Sequence, residues 1–488
     1  MSQLCVTVTG RTMGELRRAR DAASRADIVE VRLDGVDRPD AAGAIEGRLR
    51  PVIVTCRPRW EGGAFDGSAT ERRRIISEAI AAGAEFVDVE LRSEFVADIV
   101  RMRRGRGVIA STHIYGDAPK DVAERVRCLR STGAEVVKFA TEVSSLTETL
   151  PLYELGAGTD ARAEGQDHVL IAMGPHGTHT RVLSARLKNR WTYCGDGVAP
   201  GQIPAARMLS EFHFKRIRAD AGLYAVVGSP IAHSLSPAMH NAGFAQAGLN
   251  AAYVALDARD AKDFVTFART MNIRGASITA PLKVSLMTEM DELEPLAKEV
   301  GAVNTLAVRG GRWIGANTDV AGFLAPLKGR MTLRGTRAAI LGAGGAARAV
   351  AFALEREGAD VRVCARRLDE ATNVAALVGV RAGTFPPPAG SWDVLVNATS
   401  CGSRAGDSSV MAGARLDGEI VFDLVYAPGE TPLLEQAQAS GCWTIGGIDM
   451  LIAQAERQFE IWTGAAPPPG LFRAAIDSAS GWQTGARA

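Results

Sequence analysis

Along the first 200 residues, apolar positions gather into short runs: "LCVTVTG", "DIVEVRLD", "PVIVTCR", "EFVDVELR", "GVIASTHI", "EVVKFATEV", "HVLIAMG" and a weaker "WTYCGDG". Between most of them lie stretches rich in Ala, Arg and Glu, such as "ERRRIISEAIAAGA" and "KDVAERVRCLRSTGA", whose apolar residues recur at helical spacing. Short β-rich runs alternating with helices predict a parallel sheet, and eight such units predict a (β/α)8 barrel over residues 1–219. The segment is short for this architecture, so few insertions are expected.

The pattern restarts near "HFKRIRADAGLYAVVGSP", and strands and helices alternate again over 222–324. A third unit over 325–446 opens with "AAILGAGGAARAVAFALEREGADVRVCARR", a strand, a Gly-rich turn, a helix and a strand. "TFPPPAGSW" and "AAPPPG" read as connecting loops. The fold class is therefore α/β throughout. Composition changes little: 488 residues, 47% hydrophobic, 23% charged and a net charge of +1 describe an ordinary globular chain and argue against nucleic-acid or membrane partners. No apolar run is long enough to span a bilayer, and "MSQLCVTVTGRT" lacks a signal pattern. The seven cysteines stand singly without a CxxC pair, which fits a reducing cytoplasm.

Barrel enzymes act at the C-terminal ends of their strands. There the sequence places Glu30 and Arg32 in "VEVRLD", Arg57 in "VTCR", His113 in "IASTH" and Lys138 in "VVKFA". Glu61 follows in "RPRWEGG" and Arg181 in "GPHGTHTR". Three arginines at one mouth suit a small anionic substrate. A lysine in an apolar strand is either a surface residue with a buried stem or an amine placed to attack a carbonyl. The surrounding charges favour the second reading, with His113 as general base. An imine formed on Lys138 would withdraw electrons and acidify a neighbouring C–H. His176 and His179 lack a third ligand and read as loop residues, so no metal is expected.

The stretches "VEVRLD", "TCRPRWEGG", "STH", "VVKFA", "MGPHGTHTR" and "APGQIP" together resemble type I 3-dehydroquinate dehydratase. The resemblance implies metal-free loss of water from 3-dehydroquinate through an imine on Lys138, with His113 moving the proton and Glu61 orienting it. It implies that Glu30, Arg32 and Arg57 hold ring hydroxyls and that Arg181 and Gln202 hold the carboxylate and its surroundings. Val198 stands where the family usually has serine, removing one donor to the substrate.

In the second half, Gly342, Gly344 and Ala347 of "ILGAGGAARA" fit the G-x-G-x-x-[GA] turn that admits a pyrophosphate to a helix N-terminus. The next strand ends in Arg366 and Arg367 rather than an acid, which favours the 2′-phosphate of NADP over NAD. Ser234, Ser236, Thr279, Lys283, Asn304, Asn317 and Asp319 supply hydroxyl, amide and acid/base groups suited to a polyhydroxylated ring. Lys283 with Asp319 could donate a proton as hydride arrives from a nicotinamide.

"HSLSPAMHN", "TAPLK", "GAVNT", "NTD", "GAGGAARA", "NATSCG", "VYAPGETPLL" and "GGIDMLIAQA" resemble shikimate dehydrogenase over roughly 222–480. The resemblance implies that helices at about 447–480 complete the substrate domain. It implies shikimate contacts from Ser234, Ser236, Thr279, Asn304, Asp319, Tyr426 and Gln454, with Lys283 and Asp319 catalytic. It implies cofactor contacts from Gly342, Ala343, Gly344, Gly345, Ala346, Arg366, Arg367, Asn397, Thr399 and Gly447. Ser277 and Ser403 depart from the family, which has asparagine and methionine there. The whole chain thus resembles bifunctional 3-dehydroquinate dehydratase/shikimate dehydrogenase, whose partners are small-molecule substrates and NADP(H). The alternative is a shikimate dehydrogenase carrying a weak or inactive barrel, an idea motivated by Val198. Two narrower questions are a metabolite-binding regulator, which both lysines oppose, and quinate in place of shikimate.

Overall fold

A computed structural model describes residues 2–158, 166–404, 406–427 and 429–479. Pro428 of the "VYAPGETPLL" stretch and Ser480 at the end of the C-terminal helices lie outside them. The chain forms two compact units: Met1–Gly222 with Asn250–Met271, and Leu223–Leu249 with Asn272–Ala488.

Unit one contains all eight strands expected from the apolar runs: β1 (Gln3–Val8), β2 (Ile28–Arg32), β3 (Val52–Thr55), β4 (Phe86–Glu90), β5 (Val108–Ile114), β6 (Val136–Glu142), β7 (Asp167–Met173) and β8 (Trp191–Cys194). They lie in the order β7-β6-β5-β4-β3-β2-β1-β8, parallel throughout, as a nearly closed barrel. At the seam between β7 and β8, the side-chain amide of Asn189 stands in for a strand. It accepts from Leu170 N at 2.8 Å and donates to Leu170 O at 3.0 Å. Arg190 N donates to His168 O at 3.0 Å beside it.

Strand residues two apart share a face, and this period sorts the barrel interior by height. Cys5, Ile28, Ile53, Phe86, Ile109, Val136, Val169 and Trp191 make an apolar floor. Two residues on, Thr7, Glu30, Thr55, Asp88, Ser111, Lys138, Ile171 and Tyr193 form a layer that is mostly polar and buried. The outward valines and isoleucines pack under helices such as Ala69–Ala81, which buries Ile75, Ile76 and Ala79 and is capped by Ser68. Strands buried on both faces read as continuous apolar runs, which is why the sequence shows them clearly.

The segment 250–271 holds β10 (Ala251–Asp257) and the helix Ala261–Thr270. Asp263 accepts Leu146 N at 3.0 Å, Thr147 N at 2.9 Å and Thr147 Oγ1 at 2.9 Å, and so fixes the loop that follows the lysine strand β6. Phe267 of the same helix meets the edge of His179 at 5.0 Å, and Tyr153 stacks on that imidazole at 5.9 Å. Burial pushes His179 down to about 3 from its ordinary 6.5. A buried neutral histidine contributes stability that is complete above pH 6.5 and is lost as pH falls toward the folded value. His179→Phe keeps the stack without the titration. Its stability relative to the parent chain should improve by about 1.4 kcal/mol per pH unit on acidification below 6.5, read by thermal melts between pH 7 and 4.5.

In unit two, β9 (Gly222–Gly228), β11 (Gly275–Ile278), β12 (Glu292–Leu293), β13 (Thr305–Arg309) and β14 (Arg312–Ala316) lie in the order β9-β11-β13-β14-β12, with β13 antiparallel to both neighbours. A second sheet contains β15 (Arg337–Leu341), β16 (Asp360–Cys364), β17 (Arg381–Gly383), β18 (Val394–Asn397), β19 (Ile420–Asp423) and β20 (Trp443–Gly446). Its order β17-β16-β15-β18-β19-β20, parallel throughout, is the 3-2-1-4-5-6 order of dinucleotide-binding folds, with its crevice beyond the strand ends. The helix Gly447–Thr463 returns to the mixed sheet, where Trp462 Nε1 donates to Leu306 O at 2.9 Å. Gly275 is required there, because a Cβ would come within 2.5 Å of that nitrogen.

Candidate active sites

The polar layer of the barrel opens into a cavity of about 150 Å³. Glu30, Arg32, Arg57, Glu61, His113, Lys138, Arg181, Val198 and Gln202 all line it, so one cavity collects every barrel residue expected to act on or hold the substrate. Lys138 is buried, with Nζ 3.1 Å from Asp88 Oδ2, 3.5 Å from Glu30 Oε1 and 4.1 Å from the centre of the Tyr193 ring. Glu30 is held in turn by Thr7 Oγ1 and Thr55 Oγ1, both at 2.9 Å. Buried charges persist when paired and hydrogen-bonded, and this lysine has both kinds of support.

His113 is the penultimate residue of β5, and Glu61 sits on the short 3-10 turn Arg59–Glu61. Glu61 Oε2 lies 3.0 Å from His113 Nδ1 and accepts the His113 backbone N–H at 3.0 Å. Burial, with the charges of Arg57 and Lys138, holds His113 well below 6.5. Burial also pushes Glu61 up to about 8. Both shifts favour the uncharged forms, and the short contact lets a proton pass between the two groups.

The arginines differ in their surroundings. Arg32 is forked onto Asp34 at 2.8 Å. Arg57 is buried and bonds Glu90 Oε1 at 2.7 Å, Ser111 Oγ at 2.8 Å and Asp88 Oδ2 at 2.9 Å. Among the described residues Arg181 is bound by backbone carbonyls, of Gly201 at 2.9 Å, Pro200 at 3.0 Å and Tyr193 at 3.4 Å. Burial lowers it to about 10, so it stays cationic at neutral pH, with no carboxylate partner among the described residues. Gln202 Oε1 accepts Ala199 N at 3.2 Å, and its amide reaches Thr7 Oγ1 at 3.4 Å. His176 and His179 part company: His176 Nδ1 bonds Asp257 O at 2.7 Å, while His179 lies in the aromatic stack. Sequence reasoning missed Asp88 and Glu90. Their signal was two acids spaced by two in "FVDVE", which places both inside the barrel.

The second site surrounds Lys283 and Asp319, whose Nζ and Oδ2 are 2.5 Å apart. Asn304 Nδ2 donates to Asp319 Oδ1 at 2.8 Å and reaches Gln454 Oε1 at 3.4 Å. Asn317 Oδ1 accepts the Asp319 backbone N–H at 3.0 Å, which fixes the start of the helix Asp319–Leu324. Ser234 hydrogen-bonds Tyr426, and its Oγ accepts Ser236 N at 3.3 Å. Thr279 N donates to Val227 O at 2.9 Å, on the loop just before Lys283.

A nucleotide cradle adjoins this pair. Gly342 has φ of 108°, and a Cβ there would come within 3.0 Å of Ala398 O and Thr399 Cγ2. Beyond it, Ala343 leads to Gly344, the N-cap of the helix Gly345–Arg356, which has no side-chain cap, and a Cβ on Gly344 would meet nothing within 4 Å. The first N–H groups of a helix have no partner within it, and the open space at Gly344 leaves room beside them for a pyrophosphate. A Cβ on Gly345 would lie 3.0 Å from Lys283 Cβ, so the lysine lies against this turn. Asn397 Oδ1 accepts Thr399 N at 3.0 Å and Thr399 Oγ1 at 2.7 Å, and Asn397 Nδ2 donates to the buried Asp423 at 2.9 Å. These bonds shape the loop after β18. Gly447 fits under Leu424 O, where a Cβ would come within 2.4 Å. Arg366 and Arg367 are exposed beyond the end of β16, and Arg367 pairs with Glu370. The cradle thus fits a dinucleotide with an extra phosphate. Among the described residues, no helix is long and apolar enough to cross a membrane.

Comparison with known proteins agrees with this geometry. The type I 3-dehydroquinase family model matches residues 4–218. The shikimate dehydrogenase substrate-binding domain matches 226–306, and the shikimate 5′-dehydrogenase C-terminal domain matches 447–476. A shikimate dehydrogenase (NADP(+)) from Moorella thermoacetica is 38% identical over 55% of this chain and 97% of its own. The crystal structure of shikimate dehydrogenase from Aquifex aeolicus matches 53% of this chain and 99% of its own, with a TM-score of 0.50 and 34% identity. The chloroplastic bifunctional 3-dehydroquinate dehydratase/shikimate dehydrogenase of Arabidopsis thaliana is 31% identical over 92% of this chain and 79% of its own length. Two lysine-centred sites on one chain, matched in order and nearly end to end by that relative, place this protein in the bifunctional 3-dehydroquinate dehydratase/shikimate dehydrogenase family.

Proposed function

We propose that the barrel dehydrates 3-dehydroquinate through Lys138 and that the second unit reduces the product through Lys283 and Asp319. One observation carries the first part: a buried lysine amine opens into the same cavity as a neutral His113–Glu61 pair. Lys138 attacks the ketone and forms an imine as the carbonyl oxygen leaves as water, with Asp88 and Glu30 beside the nitrogen to balance its charge. His113 takes a proton from the neighbouring carbon and returns it to the departing hydroxyl, which leaves as water. Glu61 holds the imidazole and shares its proton. Arg181 is the counter-ion for the substrate carboxylate, while Glu30, Arg32, Arg57 and Gln202 hold its hydroxyls and surroundings. Hydrolysis of the imine frees an enone acid and restores the amine.

In the second unit Ser234, Ser236, Thr279, Asn304, Tyr426 and Gln454 bind the ring. Lys283 and Asp319 move the proton on the reacting oxygen. NADPH, when bound, supplies the hydride. Gly342, Ala343, Gly344, Gly345 and Ala346 line its pyrophosphate site, with Asn397, Thr399 and Gly447 around it. Arg366 and Arg367 meet its 2′-phosphate. Replacing both arginines with alanine should raise KM for NADP+ about tenfold or more while leaving KM for NAD+ unchanged, since a charge-assisted contact is worth roughly 1.5–3 kcal/mol. Equal effects on both nucleotides would remove these arginines from the site.

A second reading, a weak barrel, rests on Val198, which lines the cavity and offers no donor. Val198→Ser restores one hydroxyl. It should raise dehydratase kcat/KM by about tenfold if that donor reaches the substrate; no change would make the valine neutral. We place the protein in a reducing cytoplasm, a reading supported by its seven free cysteines.

A further inference from the structure

Gln458 was not singled out in the sequence and does not line the barrel cavity, yet its amide is the hub of the second site. It is buried on the helix Gly447–Thr463, one turn beyond Gln454. Its Nε2 donates to Asn304 O at 3.0 Å and to Thr305 Oγ1 at 3.1 Å. Its Oε1 accepts the Ser277 hydroxyl at 2.6 Å.

The two amide orientations follow from partners that can only accept or only donate. Asn304 O can only accept, so the nitrogen of Gln458 must face it. The other N–H of that amide donates to Thr305 Oγ1, whose hydroxyl donates to Asn304 Oδ1 at 2.7 Å. The oxygen of Asn304 is fixed on that side, where it also accepts Thr318 N at 2.8 Å. Its nitrogen therefore faces Asp319, which it bonds at 2.8 Å. An amide turned by half a rotation would set oxygen against carboxylate. Ser277, where the resembling family has asparagine, supplies the hydroxyl that holds Gln458 from the other side.

We propose that Gln458 is a positioning residue for the dehydrogenase: through Thr305 it fixes which way the Asn304 amide points, and so where Asp319 stands against Lys283. This rests on the assignment of Lys283 and Asp319 as the proton-handling pair. Gln458 acts on them through other groups and does not touch the reacting atoms.

The test is steady-state kinetics on the full chain carrying Gln458→Leu, Thr305→Val or both. Dehydratase rate and NADP+ affinity of the same chain report integrity. Each single change should lower kcat for shikimate oxidation about tenfold, and the double change should be no worse than the weaker single, because both break one relay. Gln458→Glu keeps the shape but cannot make both donations when ionised; it should show the same loss and replaces the leucine variant if that one does not fold. Wild-type kcat in a folded Gln458 variant, a loss confined to KM or melting temperature, or losses that multiply in the double change would each overturn the proposal. Lys283→Ala is run alongside. If it retains wild-type hydride transfer, the underlying assignment fails, whatever Gln458 does.

Discussion

Lys138→Ala is expected to abolish dehydration of 3-dehydroquinate while shikimate oxidation continues at the parent rate. Removing a covalent nucleophile costs roughly 10⁴-fold or more, because no other group can form the intermediate. Here the neighbouring groups survive the change. Asp88 keeps Arg57 at 2.9 Å and Ser111, and Glu30 keeps Thr7 and Thr55 at 2.9 Å. Loss of the reaction would then report missing chemistry rather than a collapsed barrel, with the dehydrogenase as a built-in reference. The assay is enone absorbance from 3-dehydroquinate, paired with NADP+ reduction by shikimate. Residual dehydration within tenfold of the parent would remove Lys138 from the chemistry.

Lys283→Ala is expected to give the opposite result. Proton transfer by a positioned side chain contributes about 10²–10⁴-fold. Shikimate oxidation should fall within that range, with dehydration unchanged. KM for NADP+ should move little, since the pyrophosphate cradle is built from backbone groups and only the lysine's aliphatic stem lies against Gly345. A variant that lost NADP+ binding and kept kcat would make Lys283 a cofactor contact instead of a proton donor.

The barrel strands were legible because burial on both faces makes them continuous apolar runs, and the charged interruptions at Glu30, Arg57, His113 and Lys138 mark the mouth. The nucleotide turn was legible for another physical reason: Gly342 holds a backbone angle and a close approach that other residues resist. What could not be read depends on contacts distant in sequence. Asp88 and Glu90 look like ordinary alternation in "FVDVE" until β3 and β6 bring Arg57 and Lys138 beside them. Asn189 completes the barrel seam by imitating a peptide, and no local pattern announces that. Asp263 lies 116 residues beyond Thr147, whose backbone it caps. Gln458 has a faint signal, a glutamine four places after Gln454 on one helix, but its partners Ser277 and Asn304 are known only from the folded chain.

The central claim is that one chain carries out two successive reactions at separate sites. The most direct measurement is to add 3-dehydroquinate to purified protein without nucleotide, follow enone absorbance, and then add NADPH. The expected course is appearance of enone in the first stage, absent in Lys138→Ala. In the second stage the enone should disappear with equimolar consumption of NADPH, and this should fail in Lys283→Ala. A folded protein that oxidises shikimate with NADP+ but yields no enone would contradict the claim and leave a dehydrogenase joined to an inactive barrel.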